Sequence, residues 1–104
     1  CFDSGLGASV ALPAVGDVAD ARFADVATLF GESASRVVVS TSNPDAVLAL
    51  TSRLGLPAHR VGVVGGSTIT LAIRGQVVMT ESLAAAEATW SSAIETIIQP
   101  PRAV

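Results

Sequence analysis

The sequence predicts an α+β fold, a layered α/β sandwich in which helices cover a mixed sheet that contains a hairpin. Three observations carry this reading. Short helical and strand-like patterns alternate through the first half, three strand-like runs then follow one another, and an apolar helical pattern closes the chain. Of the 104 residues, 50% are hydrophobic and only 14% charged, which is core material for one domain without disulfides or metal.

Taken in order, Cys1-Phe2-Asp3-Ser4-Gly5 reads as the last turn of a helix, so residues 1–104 are expected to form a single domain that is an N-terminally truncated piece of a larger chain. Ala8–Leu12 suits a short strand, stopped by Pro13, and the stretch to Asp20 is expected to be loop. Ala19–Phe30 predicts a helix, because Phe23, Val26 and Phe30 recur at helical spacing along one face. Asp20 reads as a favourable charge at its start rather than a metal ligand, and Gly31 as its stop. Arg36–Ser40 is β-branched and apolar, the pattern of a strand buried on both faces.

Asn43-Pro44-Asp45 is a helix start, with an N-cap, a proline at the first helical position and an acid in the first turn. This helix runs to Leu54, should bury Val47, Leu50 and Leu54, and ends at Gly55. Strands are expected at His59–Val64, Ser67–Ile73 and Gln76–Met79, with Gly65-Gly66 closing a hairpin turn and Arg74-Gly75 turning again. The last helix starts near Thr80–Ser82 and ends before Pro100-Pro101, with Leu83, Trp90, Ile94 and Ile97 on one side. Burying each of those four should contribute about 1.5–3 kcal/mol before entropy is subtracted.

Composition excludes several function classes. No apolar run approaches the ~18 residues of a transmembrane helix, and no basic-then-apolar leader opens the chain. The net charge is −3, and the six basic side chains, all arginine, are dispersed, so neither nucleic acid nor an anionic membrane is an expected partner. Without lysine there is no P-loop lysine, Schiff-base lysine or Ser-Lys dyad. One Cys and one His exclude an internal disulfide and fall short of a zinc site.

Chemistry concentrates in Leu29-Phe30-Gly31-Glu32-Ser33-Ala34-Ser35-Arg36. Gly31 permits close approach of the backbone to a ligand, Ser33 or Ser35 can donate to phosphate oxygens, and Arg36 can pair with phosphate through two parallel hydrogen bonds. Glu32 suits a Mg²⁺-bound water or a ribose hydroxyl. The structural alternative is a solvated connection in which Arg36 pairs with Glu32. Gly62-Val63-Val64-Gly65-Gly66 lacks phosphate-loop spacing, His59-Arg60 reads as an exposed edge pair, and Asp17, Asp20 and Asp25 are too spread for a metal site.

The string LFGESASRVVVS resembles the L-F-[GS]-E-S-x-x-R signature of the phosphoribosylformylglycinamidine synthases. The flanks CFDSGLGASVALP and LTSRLGLPAHRVGVVGGSTITL are similar to the same family in order, as is the closing helix with Trp90. The resemblance implies a ferredoxin-related layered domain like the C-terminal domain of aminoimidazole ribonucleotide synthase. It also implies a ligase of purine biosynthesis: ATP phosphorylates the amide oxygen of formylglycinamide ribonucleotide, and glutamine-derived ammonia displaces phosphate to give the amidine. Gly31, Glu32, Ser33 and Arg36 are carried over as phosphate or nucleotide contacts, with no catalytic or metal-ligating residue assigned. ATP and Mg²⁺ are implied for the full enzyme and neither for this segment alone, which is expected to be inactive. The implied partners are the rest of the synthase chain, a glutaminase subunit and a small bridging subunit, in a cytoplasmic setting. The family's acidic, glycine-rich run before the first helix is missing from this sequence. Two alternatives stay open: a free-standing ligand-binding or interaction domain, and the corresponding domain of a sister ATP-dependent enzyme of the aminoimidazole ribonucleotide synthase or selenophosphate synthase type.

Overall fold

β1 (Ala8–Leu12) is the first strand of the chain and lies inside the sheet, bonded on both sides. The computed structural model describes residues 1–13 and 20–99. Along them follow α1 (Ala21–Phe30), α2 (Pro44–Arg53), β2 (Gly62–Val64), β3 (Thr68–Ile73), β4 (Gln76–Ser82) and α3 (Leu83–Ile98). The result is a small α+β domain with a mixed four-stranded sheet, order β2-β1-β3-β4, and three helices.

Register follows from hydrogen bonding across β1. It runs parallel to β3 from Ala8↔Ile69 to Leu12↔Ile73, and antiparallel to β2 from Ala8↔Val64 to Val10↔Gly62. β3 and β4 form a hairpin in which Ile73 pairs with Gln76, so the loop is only Arg74-Gly75. Both loop residues have positive φ (53° and 76°), the twist that suits a right-handed strand pair and one that glycine adopts freely. A bulge follows, because Leu71 pairs with Met79 but Ala72 with Val77, leaving Val78 as the extra residue. The expected hairpin at Gly65-Gly66 is not one: β2 and β3 both pair with β1, so these glycines carry the chain across its N-terminal end. There the Gly7 amide donates to Gly66 (2.8 Å) and the Gly65 amide to Gly7 (2.8 Å).

α3 is the helix that rests on the sheet, against β3 and β4. Ser82 caps it, Oγ accepting from the Ala85 amide at 3.2 Å, and the Leu83 amide is tied to the Ser67 carbonyl at 2.8 Å. Ser82→Ala removes that acceptor and is expected to cost about 1 kcal/mol, read as a lower urea midpoint with unchanged slope. The core is small: Ile73 (2% exposed), Ala24 (3%), Ala8 and Leu83.

Several expected burials do not occur. On α3 only Leu83 is buried; Ile94 and Ile97 face outward, and Trp90 meets Phe2 with tilted rings (42°) at a centroid distance of 5.3 Å while remaining 69% exposed. On α1 the buried residue is Ala24, not the predicted face of Phe23, Val26 and Phe30. α2 has its predicted cap, Asn43 Oδ1 accepting from Ala46 at 3.2 Å, and its Gly55 terminus (φ +69°), yet it buries no residue. The predicted strand at Arg36–Ser40 does not form: the run carries no ladder and Val38 is 89% exposed. Strands need partners, and β1 already has both of its sides filled. His59–Val64 shortens to Gly62–Val64, and Gln76–Met79 lengthens to Gln76–Ser82. Most of the predicted loop before Asp20, with Asp17, and Pro100-Pro101 lie outside the described residues.

These open faces show in the size of the molecule. The radius of gyration is 17.0 Å, against about 13 Å for a compact domain of this length. The accessible surface is 8415 Å² for 10.4 kDa, where a folded monomer exposes about 5,400 Å².

Candidate functional site

α1 delivers the candidate turn. Asp20, expected as a charge at the helix start, is its N-cap: the carboxylate accepts from the Arg22 amide (2.9 Å) and pairs with the Arg22 guanidinium at 3.6 Å. At the other end Gly31 closes the helix, its amide donating to Ala27 at 2.9 Å. Gly31 is extended there (φ −66°, ψ 138°), so glycine is required by space rather than by a left-handed backbone. A Cβ at this position would run into the Ala27 carbonyl.

Glu32, Ser33 and Arg36 follow in an exposed segment. Ser35 is left-handed (φ 63°), which for a residue with a Cβ marks a sharp turn, and it separates Glu32 and Ser33 from Arg36. Among the described residues, ion pairs join Arg22 to Asp20 and Arg74 to Asp25, so the anticipated Glu32–Arg36 pair is not formed. The turn thus offers a hydroxyl, a carboxylate and a guanidinium to solvent. In water of high dielectric an exposed ion pair is worth about 0–1 kcal/mol, so affinity for a phosphate requires walls from outside this segment.

A second grouping joins residues that the sequence keeps apart. Leu12, Pro13, His59, Arg60, Arg74 and Gly75 line a shallow hollow of about 440 Å³ at the carboxyl ends of the parallel strands β1 and β3. Arg74 Nη2 donates to Asp25 Oδ1 at 2.7 Å and so tethers α1 to the β3–β4 turn. The sequence carries no signal for this pair, whose members lie 49 positions apart. Among the described residues no three His, Cys, Asp or Glu side chains converge as metal ligands, and no helix is long and apolar enough to cross a membrane.

Fold and site together define an α+β domain with a Gly-Glu-Ser segment at a helix end. The particular relationship is given by sequence. The chain is 39% identical to phosphoribosylformylglycinamidine synthase subunit PurL of Salinibacter ruber over 93 residues, covering 86% of this chain and 11% of that one. Against the same subunit of Thermobifida fusca it is 37% identical over 76 residues, 71% of this chain and 9% of that protein. Against that of Zymomonas mobilis it is 36% identical over 52 residues, 50% and 7%. The chain is therefore related to phosphoribosylformylglycinamidine synthase subunit PurL, and spans about a tenth of the length of the curated relatives it matches. No family model and no solved structure matches it.

Proposed function

We propose that this chain is a C-terminal domain of the synthetase subunit of a phosphoribosylformylglycinamidine synthase. The observation that carries the reading is the match to the Salinibacter ruber protein: covering 86% of the chain, it necessarily includes the Leu29–Arg36 turn. The fold assigned is the ferredoxin-related layered type, and the setting cytoplasmic. The whole enzyme uses ATP to phosphorylate the amide oxygen of formylglycinamide ribonucleotide, and ammonia then displaces phosphate to leave the amidine. Ammonia comes from a glutaminase subunit, held with the synthetase by a small bridging subunit.

In that assembly this domain's part is binding. The Ser33 hydroxyl donates to a phosphate oxygen, the Arg36 guanidinium offers two parallel N–H groups, and Gly31 keeps the helix end free of a side chain. The donor set fits phosphate. It does not fit a resident metal, because Glu32 is a single carboxylate; Mg²⁺ would need its other ligands from elsewhere in the enzyme. The chain alone is inactive in this reading. A free-standing domain fits less well with Phe30 at 77% and Ile97 at 83% exposed.

The test is Arg36→Ala in the full synthase. Losing a hydrogen-bonded charge is worth about 1.5–3 kcal/mol, so nucleotide or substrate affinity should fall about tenfold or more by titration calorimetry. Unchanged affinity for both ligands would remove Arg36 from the site. Amidine formation by the 104-residue chain alone would overturn the reading of this segment as a dependent domain.

A further inference from the structure

α1 is held at one point and used at another. Its last turn runs into the candidate segment without a break, the Gly31 amide closing on Ala27 at 2.9 Å. Further back, Asp25 accepts the 2.7 Å hydrogen bond from Arg74 of the β3–β4 turn. Apolar packing grips the helix little. Among the described residues its buried side chain is Ala24, a single methyl, while Phe23, Val26 and Phe30 are exposed. A helix packed so lightly tilts unless a polar contact restrains it, and short charge-assisted hydrogen bonds are the strong kind.

Arg74 is a costly residue for its place in the turn. A two-residue hairpin loop with both φ positive favours Asn or Asp followed by Gly, yet Arg74 is left-handed at φ 53°. Such a residue persists where its surroundings hold it. Among the described residues the left-handed non-glycines are Ser35 and Arg74, one inside the candidate segment and one on the helix that carries it. Nothing in the turn itself calls for a guanidinium, whereas Asp25 does.

Resting on the phosphate role proposed for Gly31–Arg36, we infer that Arg74 is a positioning residue for that segment, acting through Asp25. The tether fixes the angle of α1, and α1 fixes where Ser33 and Arg36 begin. Asp25 precedes Gly31 by six residues, about 9 Å of helix at about 1.5 Å per residue, so any tilt released at Asp25 becomes a displacement at Gly31. Without the tether the segment spends less of its time in the orientation that binds, and apparent affinity falls by that fraction.

The experiment uses the full synthase, with Arg74→Gly, Asp25→Ala, the double variant and Arg36→Ala. Glycine suits a positive φ better than arginine does, so Arg74→Gly removes the tether without weakening the turn. Titration calorimetry follows whichever ligand Arg36→Ala weakens, nucleotide or substrate. For a partly exposed pair the expected loss is about two- to fivefold, the same in Arg74→Gly and Asp25→Ala and no larger in the double variant. Arg74→Lys keeps the charge and should retain most of the affinity. Amide hydrogen exchange should quicken from Ala27 to Gly31 and stay unchanged in β3 and β4. Parent-like affinity in Arg74→Gly, with Arg36→Ala weakened, overturns the inference and leaves the phosphate role standing. Faster exchange throughout β3 and β4 overturns it too, since the tether would then support the sheet rather than place the segment. Unchanged affinity in Arg36→Ala removes the phosphate role and the inference with it.

Discussion

Ile73→Ala is expected to lower the unfolding free energy by about 2–5 kcal/mol, enough to leave much of the chain unfolded at room temperature. Ile73 is 2% exposed, pairs with Leu12 on one side and Gln76 on the other, and precedes the turn that Arg74 ties to α1. With Ala24, Ala8 and Leu83 as its companions in the buried set, little apolar volume remains to close over the cavity. Chemical denaturation followed by far-ultraviolet circular dichroism checks this. A midpoint within error of the parent chain would show that the sheet is held by something other than this core.

Gly7→Ala should be nearly as damaging, for a different reason. Gly7 is buried beside the start of β3, and a Cβ there would meet backbone rather than flexible side chain: Thr68 N at 2.7 Å, its carbonyl carbon at 2.8 Å, and its carbonyl oxygen. The β1–β3 register has no room to slide, because Gly7 is also clamped to Gly65 and Gly66 by paired hydrogen bonds. Overpacking of this type costs about 1–3 kcal/mol, with the upper end expected where backbone must move. Gly66→Ala is the matched comparison: its Cβ would point into open space, and only the left-handed backbone (φ +68°) opposes it. Amide hydrogen exchange at Thr68 and Ile69 should accelerate sharply in Gly7→Ala and little in Gly66→Ala. Equal acceleration would refute the steric argument.

Elements whose signals are local are legible in the sequence. Ala8–Leu12 occurs as predicted, Asn43-Pro44 starts α2, and the alternation of Ile69, Leu71 and Ile73 gives β3. What the sequence misassigned depends on a second body. Arg36–Ser40 has the composition of a strand, but being a strand requires a ladder, and sequence does not state which edge is free. The apolar positions of α1, α2 and α3 recur at helical spacing, but their predicted burial fails except at Leu83, because burial depends on what lies against a helix. Gly65-Gly66 looked like a hairpin because sequence neighbours usually pair, and β1 intervenes only through contacts some 60 residues away. The candidate site shows the same division. Gly31, Glu32, Ser33 and Arg36 stood out as a string, while the left-handed Ser35, the unpaired Arg36 and the Arg74–Asp25 tether are three-dimensional facts.

The position of β1 also sets a sequence of events in time. It is made early, yet its partners Ile69–Ile73 arrive about 60 residues later. At about 5–20 residues per second, a ribosome leaves β1 without a neighbour for several seconds. The β3–β4 hairpin and α3 are contiguous and local, so they form in microseconds once made. The central strand of the sheet is thus its last member to be seated, and folding of this chain is expected to be limited by that insertion.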